Sequence, residues 1–178
     1  MSIRQAKEPA SGWVQRFQTL VPEGGQVLDL ACGGGRQGRL FLSRGHPLVL
    51  LDRDVSKVAD LRTSVNVEII EADLEAGQPW PLPGRSFAAV VVSNYLHRPL
   101  FPHILASVAA GGLLIYETFA VGNEKFGRPS NPDFLLKPEE LLDLTRPLMQ
   151  VIAYEELEIQ APRPAKVQRV VARMKKQA

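Results

Sequence analysis

The stretch Val27-Leu28-Asp29-Leu30-Ala31-Cys32-Gly33-Gly34-Gly35-Arg36-Gln37-Gly38 narrows the fold more than any other part of this chain. A short β-prone run meets three consecutive glycines, and Gly33, Gly35 and Gly38 keep the G-x-G-x-x-G spacing. Glycine at such a turn allows dihedrals closed to other residues and lets a ligand approach the main chain. Arg36 to Arg44 can then run on as a helix stopped by Gly45. Strand, glycine turn and helix in that order open a βαβ unit, which commits the chain to a parallel sheet covered by helices. On spacing alone the loop suits a dinucleotide, a nucleotide or an adenosyl cofactor, or is a plain structural turn.

The alternation continues along the chain. Trp13, Val14, Phe17 and Leu20 fall at helical spacing before the break at Pro22 to Gly25. Leu48 to Leu51 reads as a buried strand, Asp54 as the N-cap of a helix reaching Arg62, and Val67 to Ile70 as the next strand. After a proline-rich loop, Phe87 to Val92 is a fourth strand, Leu100 to Ala109 a helix, and Leu113 to Thr118 a fifth strand. Ala120 to Lys137 is long for a plain connection and is expected to cover substrate. Pro138 starts a helix that ends near Pro147, since proline suits the first helical position. Val151 to Ile159 and Val167 to Met174 form a closing antiparallel pair. The expected fold is α/β: a Rossmann-like three-layer sandwich, its seven-stranded sheet mostly parallel with an antiparallel C-terminal strand, in one domain over residues 1–178.

Composition excludes several classes. With 21 basic and 19 acidic residues the net charge is +2, which gives no broad basic surface for nucleic acid. One cysteine allows no internal disulfide, the N-terminus lacks a charged-then-apolar leader, and no apolar run is long enough to span a bilayer. A cytoplasmic protein without membrane or nucleic-acid partners is expected, and the absence of a spaced His/Cys cluster predicts no metal site.

Asp29, four positions before Gly33, stands where a dinucleotide fold usually has an apolar residue. Together with the glycine loop it resembles the first motif of the class I S-adenosylmethionine-dependent methyltransferase superfamily. The resemblance extends to Leu50-Leu51-Asp52-Arg53-Asp54 and to Ile70-Glu71-Ala72-Asp73-Leu74. In that family the acid ending the second strand binds the ribose hydroxyls, and the acid after the third meets the adenine amino group. The resemblance therefore implies S-adenosyl-L-methionine as cofactor, S-adenosyl-L-homocysteine as product, and a cofactor site of Asp29, Ala31, Cys32, Gly33, Gly35, Arg36, Asp52, Arg53, Asp73, Leu74, Ser93 and Asn94. Ala31, Ala88 and Ala110 depart from the family pattern without removing a binding group. The final third, with Pro132-Asp133-Phe134-Leu135-Leu136-Lys137-Pro138-Glu139-Glu140-Leu141-Leu142, looks closest to the tellurite-resistance and thiopurine-type branch, which implies a small-molecule acceptor.

Ser93-Asn94-Tyr95-Leu96-His97-Arg98 follows the fourth strand, where ligands meet open α/β sheets. Methyl transfer needs mainly positioning in a dry site. For an acceptor that must lose a proton, His97 is the candidate base by residue type and place, and Tyr95 can flank the methyl group. Tyr116, Glu117, Arg128 and Asn131 are the candidate substrate contacts, Arg128 through its planar fork. Cys32 lacks a nearby base and reads as packing. Two rival readings stand beside the enzyme: an NAD(P)-dependent oxidoreductase, supported by the glycine spacing and Asp52, and a non-catalytic cofactor-binding partner protein. Against the first, no tyrosine has a lysine four residues later. The acceptor atom and the oligomeric state stay open.

Overall fold

The structure, a computed structural model, describes residues 8–176; the first seven residues, which were read for a leader, lie outside it. Seven strands form one sheet: β1 (Val27–Leu30), β2 (Leu48–Asp52), β3 (Val67–Glu71), β4 (Phe87–Ser93), β5 (Val108–Phe119), β6 (Met149–Ile159) and β7 (Ala165–Met174). Their order is β3-β2-β1-β4-β5-β7-β6. The first five run parallel, and β7 pairs antiparallel with both β5 and β6. This is the mostly parallel, seven-stranded α/β arrangement expected from the pattern of apolar runs.

Period-two alternation along the strands builds two cores. On one face Leu28, Leu30, Val90, Val92 and Tyr116 pack with Ile104 and Leu141 of α3 (Phe101–Ala106) and α4 (Glu140–Thr145). On the other, Val27, Ala89, Val91 and Ile115 pack with Trp13, Val14 and Phe41 of α1 (Gly12–Phe17) and α2 (Arg36–Ser43). No described helix is long and apolar enough to cross a membrane.

Three expected elements differ. Between β2 and β3 the chain makes a 3-10 helix, Ser56–Leu61, not an α-helix from Asp54 to Arg62. Val55, Val58 and Leu61 are buried at a spacing of three, which suits three residues per turn. Asp54 accepts the Ser56 N–H in an Asx turn instead of capping a helix. The helix expected to reach Ala109 stops at Ala106, and β5 begins at Val108 and runs through Gly111 and Gly112. Sheet pairing wins there because Phe87 donates to the Ser107 carbonyl at 2.8 Å and Val108 pairs with Phe87. α4 starts at Glu140, because Glu139 before it has a left-handed φ of 58°, which leaves Pro138 outside the helix.

Gly38 lies where α2 crosses β1 and β2. A Cβ there would sit 2.7 Å from Leu50 Cδ2, 2.9 Å from Leu48 Cδ2 and 3.1 Å from Asp29 Oδ2, all packed atoms. Gly38→Val is expected to lower the unfolding free energy by about 2–3 kcal/mol through overpacking, measured by urea denaturation. Unchanged stability would show that the helix-to-sheet contact is looser than described.

Candidate functional site

Strand order reverses direction between β1 and β4, so the carboxyl ends of β1, β2 and β4 open a crevice at the switch point. The glycine loop bridges β1 and α2 across it. Ala31, Gly33 and Gly35 all have positive φ, at 53°, 51° and 70°, so the chain doubles back sharply. A Cβ added at Gly33 or Gly34 would meet nothing within 4 Å, which leaves open space above the loop.

Asp52, the last residue of β2, ties the crevice together. Its Oδ2 accepts the Gly33 N–H at 2.8 Å and its Oδ1 the Asp54 N–H at 3.0 Å. A carboxylate offers about four acceptor directions, so each oxygen can accept a further hydrogen bond. Asp52 lines a cavity of about 360 Å³ with Ala31, Arg53, Asp73, Leu74, Asn94 and Tyr95. Ala72, Glu75 and Phe134 complete the lining. Asp73 orders the floor, accepting the Glu75 N–H at 2.9 Å. Asn94 adopts a left-handed φ of 55° at the end of β4. Burial and the carboxylates of Glu75, Asp73 and Asp52 push the Tyr95 phenol above its ordinary range, so it stays protonated.

Several residues expected at the site take other positions. Asp29 is only 2% exposed, and its Oδ2 accepts the Gly38 N–H at 2.7 Å. It fixes the start of α2 from within the core. Burial raises its pKa from 3.8 to about 7. Cys32 is buried, and burial with the nearby Asp29 and Asp52 carboxylates raises its pKa well above the ordinary thiol value, as its packing role requires.

Ser93, Arg36 and Glu117 form a separate polar cluster on the α1 side of the sheet. Gln37 Nε2 donates to Ser93 Oγ at 3.2 Å, Arg36 Nη2 donates to it at 3.5 Å, and that hydroxyl donates to Glu117 at 3.3 Å. Arg169 Nε lies 3.7 Å from the Glu117 carboxylate.

Tyr116 is fully buried in the opposite core, and its hydroxyl donates to the Tyr95 carbonyl at 2.8 Å, so it braces Tyr95 and is not a substrate contact. His97 does not line the cavity of Asp52. It faces a neighbouring cavity of about 450 Å³, on the far side of residues 72–75, with His103 and Trp80. The His103 ring stacks on Trp80, with centroids 5.2 Å apart. The site beside Tyr95 therefore holds no histidine base. Arg128 is exposed, and Asn131 accepts the Asp133 N–H to cap a 3-10 turn, Pro132–Phe134. That turn brings Phe134 to the rim. Its signal was an apolar residue flanked by a proline and a capping asparagine in the long loop. Among the described residues no cluster of three or more His, Cys, Asp or Glu side chains is placed to hold a metal ion.

The methyltransferase-domain family profile matches residues 27–111, from the first strand through the crevice residues of β4 to the start of β5. Over that span the chain is similar to a methyltransferase domain. No curated protein sequence matches it. Among solved structures, TehB from Haemophilus influenzae superposes with a TM-score of 0.75 at 17% identity, over 97% of this chain. The chain spans only 64% of the length of that protein. The 1,6-didemethyltoxoflavin-N1-methyltransferase of Burkholderia thailandensis, solved with 1,6-didemethyltoxoflavin and S-adenosylhomocysteine, gives 0.70 at 17% identity, over 92% of this chain and 77% of its own. A TehB-like S-adenosylmethionine-dependent methyltransferase from Corynebacterium glutamicum gives 0.65 at 18%, over 95% and 90%. At these identities the likeness establishes the fold alone.

Proposed function

We propose that this chain is a class I methyltransferase that transfers a methyl group from S-adenosyl-L-methionine to a small-molecule acceptor. The observation that carries the reading is Asp52, anchored by two backbone amides and lining the cavity with acceptor capacity to spare. That donor set fits the cofactor: Asp52 would take the ribose hydroxyls, Asp73 and Leu74 the adenine, and the open space over Gly33 and Gly34 the methionine end. When bound, the cofactor supplies an electrophilic methyl on a sulfonium, whose sulfur keeps the bonding pair as the thioether.

The chain's own part is positioning and exclusion of water. Tyr95 and Phe134 wall the pocket, and the protonated Tyr95 phenol directs its hydrogen toward Glu75. An acceptor that must lose a proton has Glu75 within the same cavity; a soft acceptor such as a thiolate or reduced chalcogen needs no base. A small acceptor agrees with the substrate seen in the Burkholderia structure. The net charge of +2 does not favour nucleic acid, and a single cysteine suits a reducing cytoplasm.

Calorimetric titration with S-adenosylmethionine, S-adenosylhomocysteine and NADH tests the reading. Saturable binding of the two sulfur compounds alone is expected, whereas NADH alone would make the chain an oxidoreductase. His97→Ala is expected to keep that affinity within about twofold, because the ring lies across residues 72–75 from Asp52. Turnover with an acceptor separates an enzyme from a binding partner protein.

A further inference from the structure

Phe134 is 47% exposed, yet the backbone that carries it is fastened more tightly than a surface turn requires. Arg98, just after β4, supplies the fastening. Its Nη1 donates to the Asp133 carbonyl and its Nη2 to the Leu135 carbonyl, both at 2.9 Å, on either side of Phe134. The same guanidinium grips Glu140 through Nε at 2.6 Å and Nη2 at 2.9 Å. Glu140 also accepts the Lys137 N–H at 2.7 Å, closing the far end of the segment. Arg98 and Glu140 are both partly buried, at 32% and 17% exposure, and a bidentate pair of this kind is far more directional than a lone surface contact. Glu140 has its pKa lowered despite burial, through its hydrogen bonds to Arg98 and Lys137.

The clamp spends five charge-assisted hydrogen bonds on holding one exposed aromatic at the Asp52 cavity, which Asp73 and Tyr95 also line. An apolar ring held at an open polar cavity lacks the packing that would explain it as core. A planar ligand in that cavity supplies the missing partner, since aromatic faces stack on nucleobases.

We propose that Phe134 forms the outer wall of the nucleoside pocket, stacking against the bound cofactor, and that Arg98 and Glu140 are positioning residues acting through it. The inference rests on the cofactor reading above and assigns the cofactor a contact outside the sheet-end motifs.

The test is a double-mutant cycle in S-adenosylhomocysteine affinity, read by calorimetry. Phe134→Ala is expected to weaken binding by about 10-fold, and Arg98→Met by about 5-fold. In the Phe134→Ala background the Arg98→Met effect should vanish, because the residue through which it acts is gone. Glu140→Gln, which keeps an acceptor for Arg98, should restore most of the affinity lost in Glu140→Ala and serves if Arg98→Met folds poorly. Additive losses, or a Phe134→Ala variant that binds like wild type, would overturn the inference while leaving the cofactor reading intact. Wild-type protein that binds no S-adenosylhomocysteine would overturn the cofactor reading and the stacking with it. The clamp has its own readout without ligand: the emission of Phe134→Trp should shift to the red when Arg98→Met is added, and an unchanged spectrum would refute the positioning role.

Discussion

Replacing Asp52 by alanine is expected to weaken S-adenosylmethionine binding by about 100-fold or more, with the protein still folded. Each hydrogen bond to a charged group contributes about 1.5–3 kcal/mol, and two ribose hydroxyls would lose their shared acceptor. The variant also frees the Gly33 N–H, which Asp52 holds at 2.8 Å, and so loosens the turn over which the methionine end would lie. Asp52→Asn keeps one carbonyl acceptor and is expected to lose about 10-fold. Calorimetry on both variants, with circular dichroism to confirm folding, checks the ordering. Affinity equal to wild type in the alanine variant would remove the assignment of this crevice to the cofactor.

The second large effect concerns stability and pH. Asp29 is buried beneath α2, and desolvation raises its pKa from 3.8 to about 7. The folded protein thus holds a proton on this carboxyl that the unfolded chain has released. Its contribution to stability is full below about pH 4, falls as pH rises through 7, and amounts to several kcal/mol across that window. Asp29→Asn keeps an acceptor for the Gly38 N–H and cannot ionise. The two proteins should therefore have similar stability near pH 4, and the asparagine variant should be several kcal/mol more stable at pH 8. Urea denaturation at a series of pH values reads the difference. Parallel curves would show that Asp29 is ionised in the fold, held by Gly38 and Arg36 against its burial.

Much of the architecture was legible because each strand and its turn carries its own local signal. The glycine loop needed no tertiary information, since only glycines combine easily with the positive φ found at Gly33 and Gly35. Ala31 shares that conformation, so its departure from the glycine usual there lies at a strained position. Where the sequence reading failed, two local preferences competed. Val108 and Ala109 fall at the end of the expected helix, and pairing of Val108 with Phe87 decided for strand. Val55, Val58 and Leu61 can be buried by a tighter helix as well as by an α-helix, and the spacing of three settles it.

The site divides along the same line. Asp52, Asp73, Leu74, Asn94 and Tyr95 line one cavity because consecutive parallel strands all end on the same side of the sheet, a consequence of βαβ connectivity that the sequence determines. The sequence could not decide which face a residue at a strand end takes. Neighbours alternate, so Tyr116 turns into one core while Glu117 meets Ser93 on the other face. Beyond the strand the direction is set by the loop, and two residues separate Tyr95 in the Asp52 cavity from His97 in the next. The tertiary structure alone joins Arg98 to Glu140, 42 positions apart, because local propensity carries no information about contacts closed by the packing of a whole sheet.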